Sequence, residues 1–230
     1  MLKKAIWCIL LLSLFTVTSS ALGQSGETAY LRILQLANDG TVVSVSLPDG
    51  QTLIANLASG SASDYTAFAT DRSIFLTMAI RPTRGPSLTR EWSIPPLAPG
   101  YHTAALVGSS NDNTLQLTVI DENSVCEDKL ENSACIILID SVRNSPPISL
   151  LANRNPMITD AGYRQVVVDD LNAQTYLDFR AVDPDDANTV YFTMERRFFE
   201  PNTIYFYSLV GSYTGNQFAN LNIGIQRRVA

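Results

Sequence analysis

Histidine is almost missing from this chain: His102 is the one histidine in 230 residues. That excludes multi-histidine metal sites and leaves a nucleophilic triad with a single choice of base. His102 follows Pro99-Gly100 at the start of an apolar run, and it reads as a surface or edge-strand residue rather than a general base beside a nucleophile. No serine sits in a G-x-S-x-G pattern, so the turn that exposes a hydrolase nucleophile is not encoded. Lysine is scarce as well, with only Lys129 beyond Lys3 and Lys4. The cations form no run longer than Arg196-Arg197 and Arg227-Arg228, too little to track a phosphate backbone, which argues against a nucleic-acid partner. Helical periodicity of useful length is missing too. After residue 23 no apolar run reaches 18 residues, so no transmembrane helix is expected in the mature chain.

What is present begins with an export signal. Met1-Leu2-Lys3-Lys4 is a positive start, residues 5–17 are apolar, and the small residues of SSALGQ supply a cleavage site. Ala21 and Gly23 occupy its small-residue positions, which places the cut after Gly23 and makes Gln24 the new N-terminus. Cys8 lies inside the apolar stretch rather than behind it, unlike a lipid-modified cysteine. Removing residues 1–23 takes away Lys3 and Lys4 and no acid, leaving 14 basic and 22 acidic side chains and a formal charge of −8. The expected localisation is secreted or extracytoplasmic, in a periplasm or on a cell surface.

The remaining chain consists of short runs rich in Val, Ile, Thr, Tyr and Phe, separated by Gly, Pro, Asn, Asp and Ser. This is an all-β pattern. Eight strands are predicted in the first half, from Tyr30–Ala37 to Thr114–Asp121, and seven in the second, from Ile136–Val142 to Leu221–Gln226. Pro48-Asp49-Gly50-Gln51 marks a tight turn, since Asp-Gly tolerates the positive φ that a hairpin needs. LAPGYHTAALVGSS (Leu97–Ser110) aligns with FEPNTIYFYSLVGSY (Phe199–Tyr213) at an offset of 103 residues. Repeats of that size match β-sandwich modules of about 100 residues. The predicted fold is two tandem antiparallel β-sandwich modules, immunoglobulin- or transthyretin-like, over residues 24–124 and 125–230.

The first module resembles the bacterial domain-of-unknown-function 4397 family of secreted, often tandem envelope domains. AYLRILQLA (Ala29–Ala37) looks like its opening Arg-containing strand, VSVSLPDG (Val43–Gly50) its second strand and turn, and GSASDY (Gly60–Tyr65) its G-x-x-S-x-Y segment. IRPTRG, APGYHTAALVG and LTVIDEN (Leu117–Asn123) follow in the family's order, so the resemblance covers residues 29–123. Where the family has a His-Ala-Ser-Pro-Asp run, this chain has Gln35-Leu36-Ala37-Asn38-Asp39, so no histidine role carries over. The second half keeps the strand plan, Gly162-Tyr163 and Val210-Gly211, and reads as a diverged copy. The resemblance implies a sandwich fold in an extracellular setting and no reaction.

Three constellations could carry chemistry. Cys126 and Cys135 have no further cysteine or histidine between them, which excludes a zinc knuckle, and they are too far apart for a C-x-x-C redox pair. Export leaves them as an even pair in an oxidising compartment, so a disulfide is predicted. Asp183, Asp185, Asp186 and Asn188 have the oxygen-rich composition of a calcium loop but lack its central Gly and distal Glu. Such residues also make solvated turns by capping their own backbone. Otherwise no cofactor is expected. Finally, alternation along YFTMERRFF and IYFYSLV places Tyr191, Tyr205 and Tyr207 outward together if Phe192 and Phe206 point inward, forming a ring-lined strip for a sugar or protein partner.

The leading functional expectation is a secreted, non-catalytic structural or interaction protein of the bacterial cell envelope. Its partner would be an envelope protein or a polysaccharide. The alternative is an extracellular carbohydrate-binding module, calcium-assisted through the Asp183 loop. An eight-stranded outer-membrane barrel fits the length and the signal, but runs such as Ile136-Ile137-Leu138-Ile139 are apolar on both faces rather than alternating.

Overall fold

A computed structural model describes residues 27–37, 39, 41–129, 132–214 and 217–228. The expected export segment, with Cys8 and the cut at Gly23, lies outside the described residues. The first sandwich contains β1 (Thr28–Ala37), β2 (Val42–Ser46), β3 (Thr52–Ala58), β4 (Ser61–Ala62), β5 (Thr66–Ala69), β6 (Ile74–Arg81), β7 (Leu88–Ile94), β8 (Gly100–Gly108) and β9 (Gln116–Asp121). One sheet runs β4-β1-β8-β9, with β5 also on β1, and the other runs β3-β2-β6-β7. The helix α1 (Glu122–Cys126) and one 3-10 turn then lead into the second sandwich.

The second sandwich contains β10 (Ser133–Asp140), β11 (Ile148–Ala152), β12 (Asn155–Ala161), β13 (Val166–Asn172), β14 (Tyr176–Val182), β15 (Val190–Phe198), β16 (Thr203–Thr214) and β17 (Gln217–Arg228). Its sheets run β13-β10-β16-β17 and β12-β11-β14-β15. The strand order matches that of the first sandwich position for position, with β13 standing where β4 and β5 stand. Each sheet is open, so the strands do not close into the eight-stranded barrel. Every strand pairing is antiparallel except one in each module, β1 with β8 and β10 with β16.

Those parallel pairs explain the near-continuous apolar runs. A strand covered on both faces has no solvent side and therefore no polar alternation. From β1, Leu31 and Ile33 enter the first module's core with Val43, Val45, Leu76, Met78, Ile80, Ala104 and Leu106. From β10, Ala134, Ile136 and Leu138 enter the second core with Leu150, Phe179, Tyr205, Tyr207 and Leu209. The opposite faces meet between the modules, where Leu34, Leu36, Ala105 and Val107 pack with Ile137, Ile139, Ile204 and Phe206. By contrast β6 has only its own sandwich to pack on, and it alternates buried Ile74, Leu76, Met78 and Ile80 with exposed Phe75 and Ala79. Burying a side chain of the Leu, Ile or Phe type contributes about 1.5–3 kcal/mol, so the shared layer is a third core. Polar links flank it: Arg143 pairs with Asp112, and an Arg164 Nη donates to the Thr114 carbonyl.

The disulfide forms between Cys126 of α1 and Cys135 of β10, with 5.8 Å between Cα atoms. Both cysteines are fully buried in the shared layer. It ties the helix between the modules to the first strand of the second.

Candidate functional site

The expected strip of Tyr191, Tyr205 and Tyr207 does not form. Tyr205 and Tyr207 are 6% and 5% exposed and sit in the second core. The Tyr205 ring lies 4.9 Å from that of Phe199, and the Tyr207 ring lies 6.0 Å from that of Phe179. The physical reason is that β16 has no solvent face: its even positions Ile204 and Phe206 face the first module, so its odd positions fill its own sandwich. Burial raises the Tyr207 hydroxyl well above the usual phenol range. Tyr191 is half-buried on β15, and its hydroxyl donates to Asp183 Oδ2 at 2.6 Å. Desolvation, then that hydrogen bond, raises its pKa.

The acidic loop is a self-capped turn. Asp183 Oδ1 accepts from the Asp185 amide at 2.9 Å. Asp186 Oδ1 accepts from the Asn188 amide at 3.0 Å, and Asp186 Oδ2 accepts from Thr189 Oγ1 at 2.8 Å. The Tyr191 hydrogen bond holds Asp183 below the usual carboxylate range, and the Thr189 hydrogen bond does the same for Asp186. Among the described residues no group of three or more acid, histidine or cysteine side chains is arranged to hold a metal ion.

His102 is buried rather than on the surface. Its Nε2 lies 2.8 Å from the Ala98 carbonyl, and Nδ1 has no hydrogen-bond partner. The even positions of β8 point into the first core, so the strand's alternation internalises the ring.

A different group of residues does converge. Glu122, at the start of α1, is 0% exposed. Its carboxylate accepts from Thr103 Oγ1 at 2.6 Å and from the Tyr65 hydroxyl at 2.8 and 2.9 Å, and pairs with Arg32 at 3.3 Å. Arg32 Nε donates to Thr103 Oγ1 at 2.8 Å, so the Thr103 hydroxyl relays between cation and anion. The guanidinium lies between the Tyr65 and Phe206 rings, 4.8 and 4.7 Å from their centroids. A buried charge pair persists only when polar partners replace its lost hydration, and here the Thr103 hydroxyl serves Arg32 Nε while the Tyr65 hydroxyl reaches both Glu122 oxygens.

That network fixes an aromatic stack at the edge of the shared layer. Tyr65 meets Tyr101 edge-on at 5.0 Å, and Tyr101 stacks on Tyr30 at 4.9 Å and 19°. Tyr30 is 37% exposed. It stands opposite Ala67 of β5 and next to Ala69 on the same sheet edge, both exposed and small. The outcome is a ring presented on a sheet face, propped from beneath by two more rings and an ion pair. Such an amphipathic surface suits a flat partner with apolar and hydroxyl groups.

Residues 65 and 101 lie more than 30 positions from their partners in sequence, so no local pattern marked the cluster. The available signal was that Tyr30, Arg32, Tyr65, Tyr101 and Glu122 all fall in motif segments of the first module. Their neighbours in those segments hold the geometry. Ser63 Oγ accepts from the Ile33 amide at 2.9 Å where β4 gives way to β5. Gly100 has φ +125°, and a Cβ there would lie 2.2 Å from Asn123 Nδ2. Asp121 caps α1 by accepting from the Asn123 and Ser124 amides.

No protein-family model matches the chain, and no curated protein matches it. Among solved structures, the chain is similar to a family 26 carbohydrate-binding module from Eubacterium rectale, determined in complex with maltoheptaose. The identity is 8% and the TM-score 0.24, over 88% of this chain and 97% of that one.

Proposed function

We propose that this is a non-catalytic interaction protein of the bacterial envelope, exported and acting as one rigid body of two sandwiches. The observation that carries the reading is the shared third core. Modules joined through so much buried apolar surface keep a fixed relation, which suits a scaffold that presents a surface rather than one that closes on a substrate. Among the described residues, the lone histidine is buried with its Nε2 on a backbone carbonyl and the Asp183 loop is tied to itself, which supports a role without catalysis. The buried disulfide fits an oxidising compartment. The common strand order supports a diverged pair of modules.

A second reading has its own observation: the stacked Tyr30 and Tyr101 favour a carbohydrate partner. The experiment for both is retention of the mature chain on envelope polysaccharides and a glycan array, beside a pull-down from native envelopes, with wild type and Tyr30→Ala. Retention on a defined glycan, lost in Tyr30→Ala, supports sugar binding. A glycan-independent envelope partner supports the scaffold reading. If retention disappears with chelator, the Asp183 loop returns as a calcium site. Turnover of a glycan by the purified chain would overturn the non-catalytic reading.

A further inference from the structure

A cleft at one end of the first sandwich shares Ala67 and Ala69 of β5 with the sheet edge beside Tyr30. It has a volume of about 890 Å³, within the range of small-molecule sites. Its walls are the β2–β3 turn, the strand β5 and the turn that enters β6. The turn is pinned by Gly50 N to the Leu47 carbonyl and Leu47 N to the Gln51 carbonyl, each 2.9 Å. Leu53, Phe68 and Ile74 form its apolar floor, and Phe75, 56% exposed, stands at its mouth. Behind the floor is a second void of about 10 Å³, and Leu53, Thr66 and Phe68 wall both. A rotamer change of Phe68 would extend the cleft between the sheets.

Two charged residues line the mouth, and they are not equivalent. Asp49 Oδ1 accepts from the Gln51 amide at 2.9 Å, so its carboxylate serves the turn. Arg72 is exposed and forms no ion pair among the described residues. In a chain of net negative charge, an unpaired guanidinium beside an apolar slot is the complement of an anionic head on an apolar tail.

The second sandwich supplies a control at the corresponding position. Its cleft, about 340 Å³, is bounded by the β11–β12 turn, β13 and the start of β14. There Asp169, Asp170, Asn153 and Asn155 line the opening, and no arginine does. The same fold end therefore carries an arginine beside an apolar floor in one module and acids without an arginine in the other.

We infer that the first cleft binds a monomeric amphiphile with one hydrocarbon chain and an anionic head. The chain lies over Leu53, Phe68 and Ile74, and the head meets Arg72. The test titrates the mature protein with laurate below its micelle concentration and with dodecyltrimethylammonium, read by calorimetry and by NMR shifts. Laurate should bind saturably at one site, with dodecyltrimethylammonium weaker by about tenfold. Arg72→Gln should remove most of that preference, a loss of about five- to tenfold for laurate alone. Ala69→Trp, at an exposed position on the cleft wall, should block both ligands while leaving the melting transition intact. Absence of saturable laurate binding, equal affinity for the two head groups, or unchanged binding in Ala69→Trp would each overturn the inference. Sedimentation with anionic vesicles in the absence of laurate binding would overturn it in favour of a bilayer surface.

Discussion

The two sandwiches reach one strand order with different chemistry at matching positions, and the difference separates what the fold demands from what each module adds. Gln35 pairs with Leu106 across the parallel strands of the first module, as Asp140 pairs with Leu209 in the second. Gln35 Oε1 accepts from the amide two residues on, Ala37, at 3.0 Å, and Asp140 Oδ1 accepts from Val142 at 2.8 Å. The fold requires a buried acceptor there, and either an amide or a carboxyl supplies it. One position Arg32 faces Thr103, and its counterpart Ile137 faces Phe206. Between the modules the first contributes an ion pair and the second hydrocarbon.

The strongest way to break this arrangement is Phe206→Ala. It removes a ring from the shared core and one face of the Arg32 sandwich. The expected cost is about 3–5 kcal/mol, and the one denaturant transition expected of the wild type should split into two as the modules lose their common layer. If the variant still unfolds in one step with an unchanged midpoint, the shared layer does not couple the modules. Next is Glu122→Gln, which leaves the Arg32 charge buried without its anion and should cost about 3 kcal/mol. Arg32→Met added to it should restore most of that stability, because the second module shows that the position accepts an apolar side chain. A double variant as unstable as the single one would mean that the ion pair determines how the modules dock.

Asp140 sharpens the comparison through pH. Burial pushes its carboxyl up to about 6 from 3.8. Ser145 Oγ lies 2.7 Å from Asp140 Oδ2 and 2.8 Å from the Val142 carbonyl, two acceptors for one hydroxyl proton. A protonated Asp140 resolves this by donating to Ser145. Since the folded pKa is raised, the native state holds more protons between pH 3.8 and 6. The contribution to stability is therefore present below that window and lost as pH rises through it, by about 2–3 kcal/mol. Asp140→Asn should abolish that slope and stabilise the protein at pH 8, with little change at pH 4, as measured by urea titration at the two values. Gln35 already plays the neutral part in the first module, so Gln35→Glu should introduce a slope of the same sign there.

Most strands were legible because Pro48-Asp49-Gly50, Arg81–Ser87 and similar breaks punctuate runs of strand-forming residues. β12 lies between the expected strands and opens on Asn155-Pro156, and an edge strand tolerates a proline that a central one would not. A strand expected over Ser63–Ala69 forms only as β5 (Thr66–Ala69), and β4 (Ser61–Ala62) lies ahead of it, with Ser63 Oγ taking the Ile33 amide between the two. The parallel pairs were not legible, since alternation reports faces and not neighbours. The run Ile136–Ile139 signals burial on both sides, whereas the hydroxyls of Tyr205 and Tyr207 give Ile204–Val210 the look of an alternating strand although both rings lie in the second core. The tyrosine stack depends on long-range pairing, which no local spacing records.

The disulfide was legible in the sequence, while its setting was not, and that alters what its removal should do. Chain entropy for the ten-residue loop gives about 2.7 kcal/mol. A clasp on a free hinge would confer little beyond that on either module. Here both cysteines lie within the layer that joins the modules, so Cys126→Ala should loosen α1 against β10 while Leu36, Ile137 and Phe206 hold the sandwiches together. The expected result is a fall of about 2–3 kcal/mol with one unfolding transition retained, and faster proteolytic cutting near Lys129. Two separate transitions in Cys126→Ala would show instead that the bridge, rather than the apolar layer, makes one body of two modules.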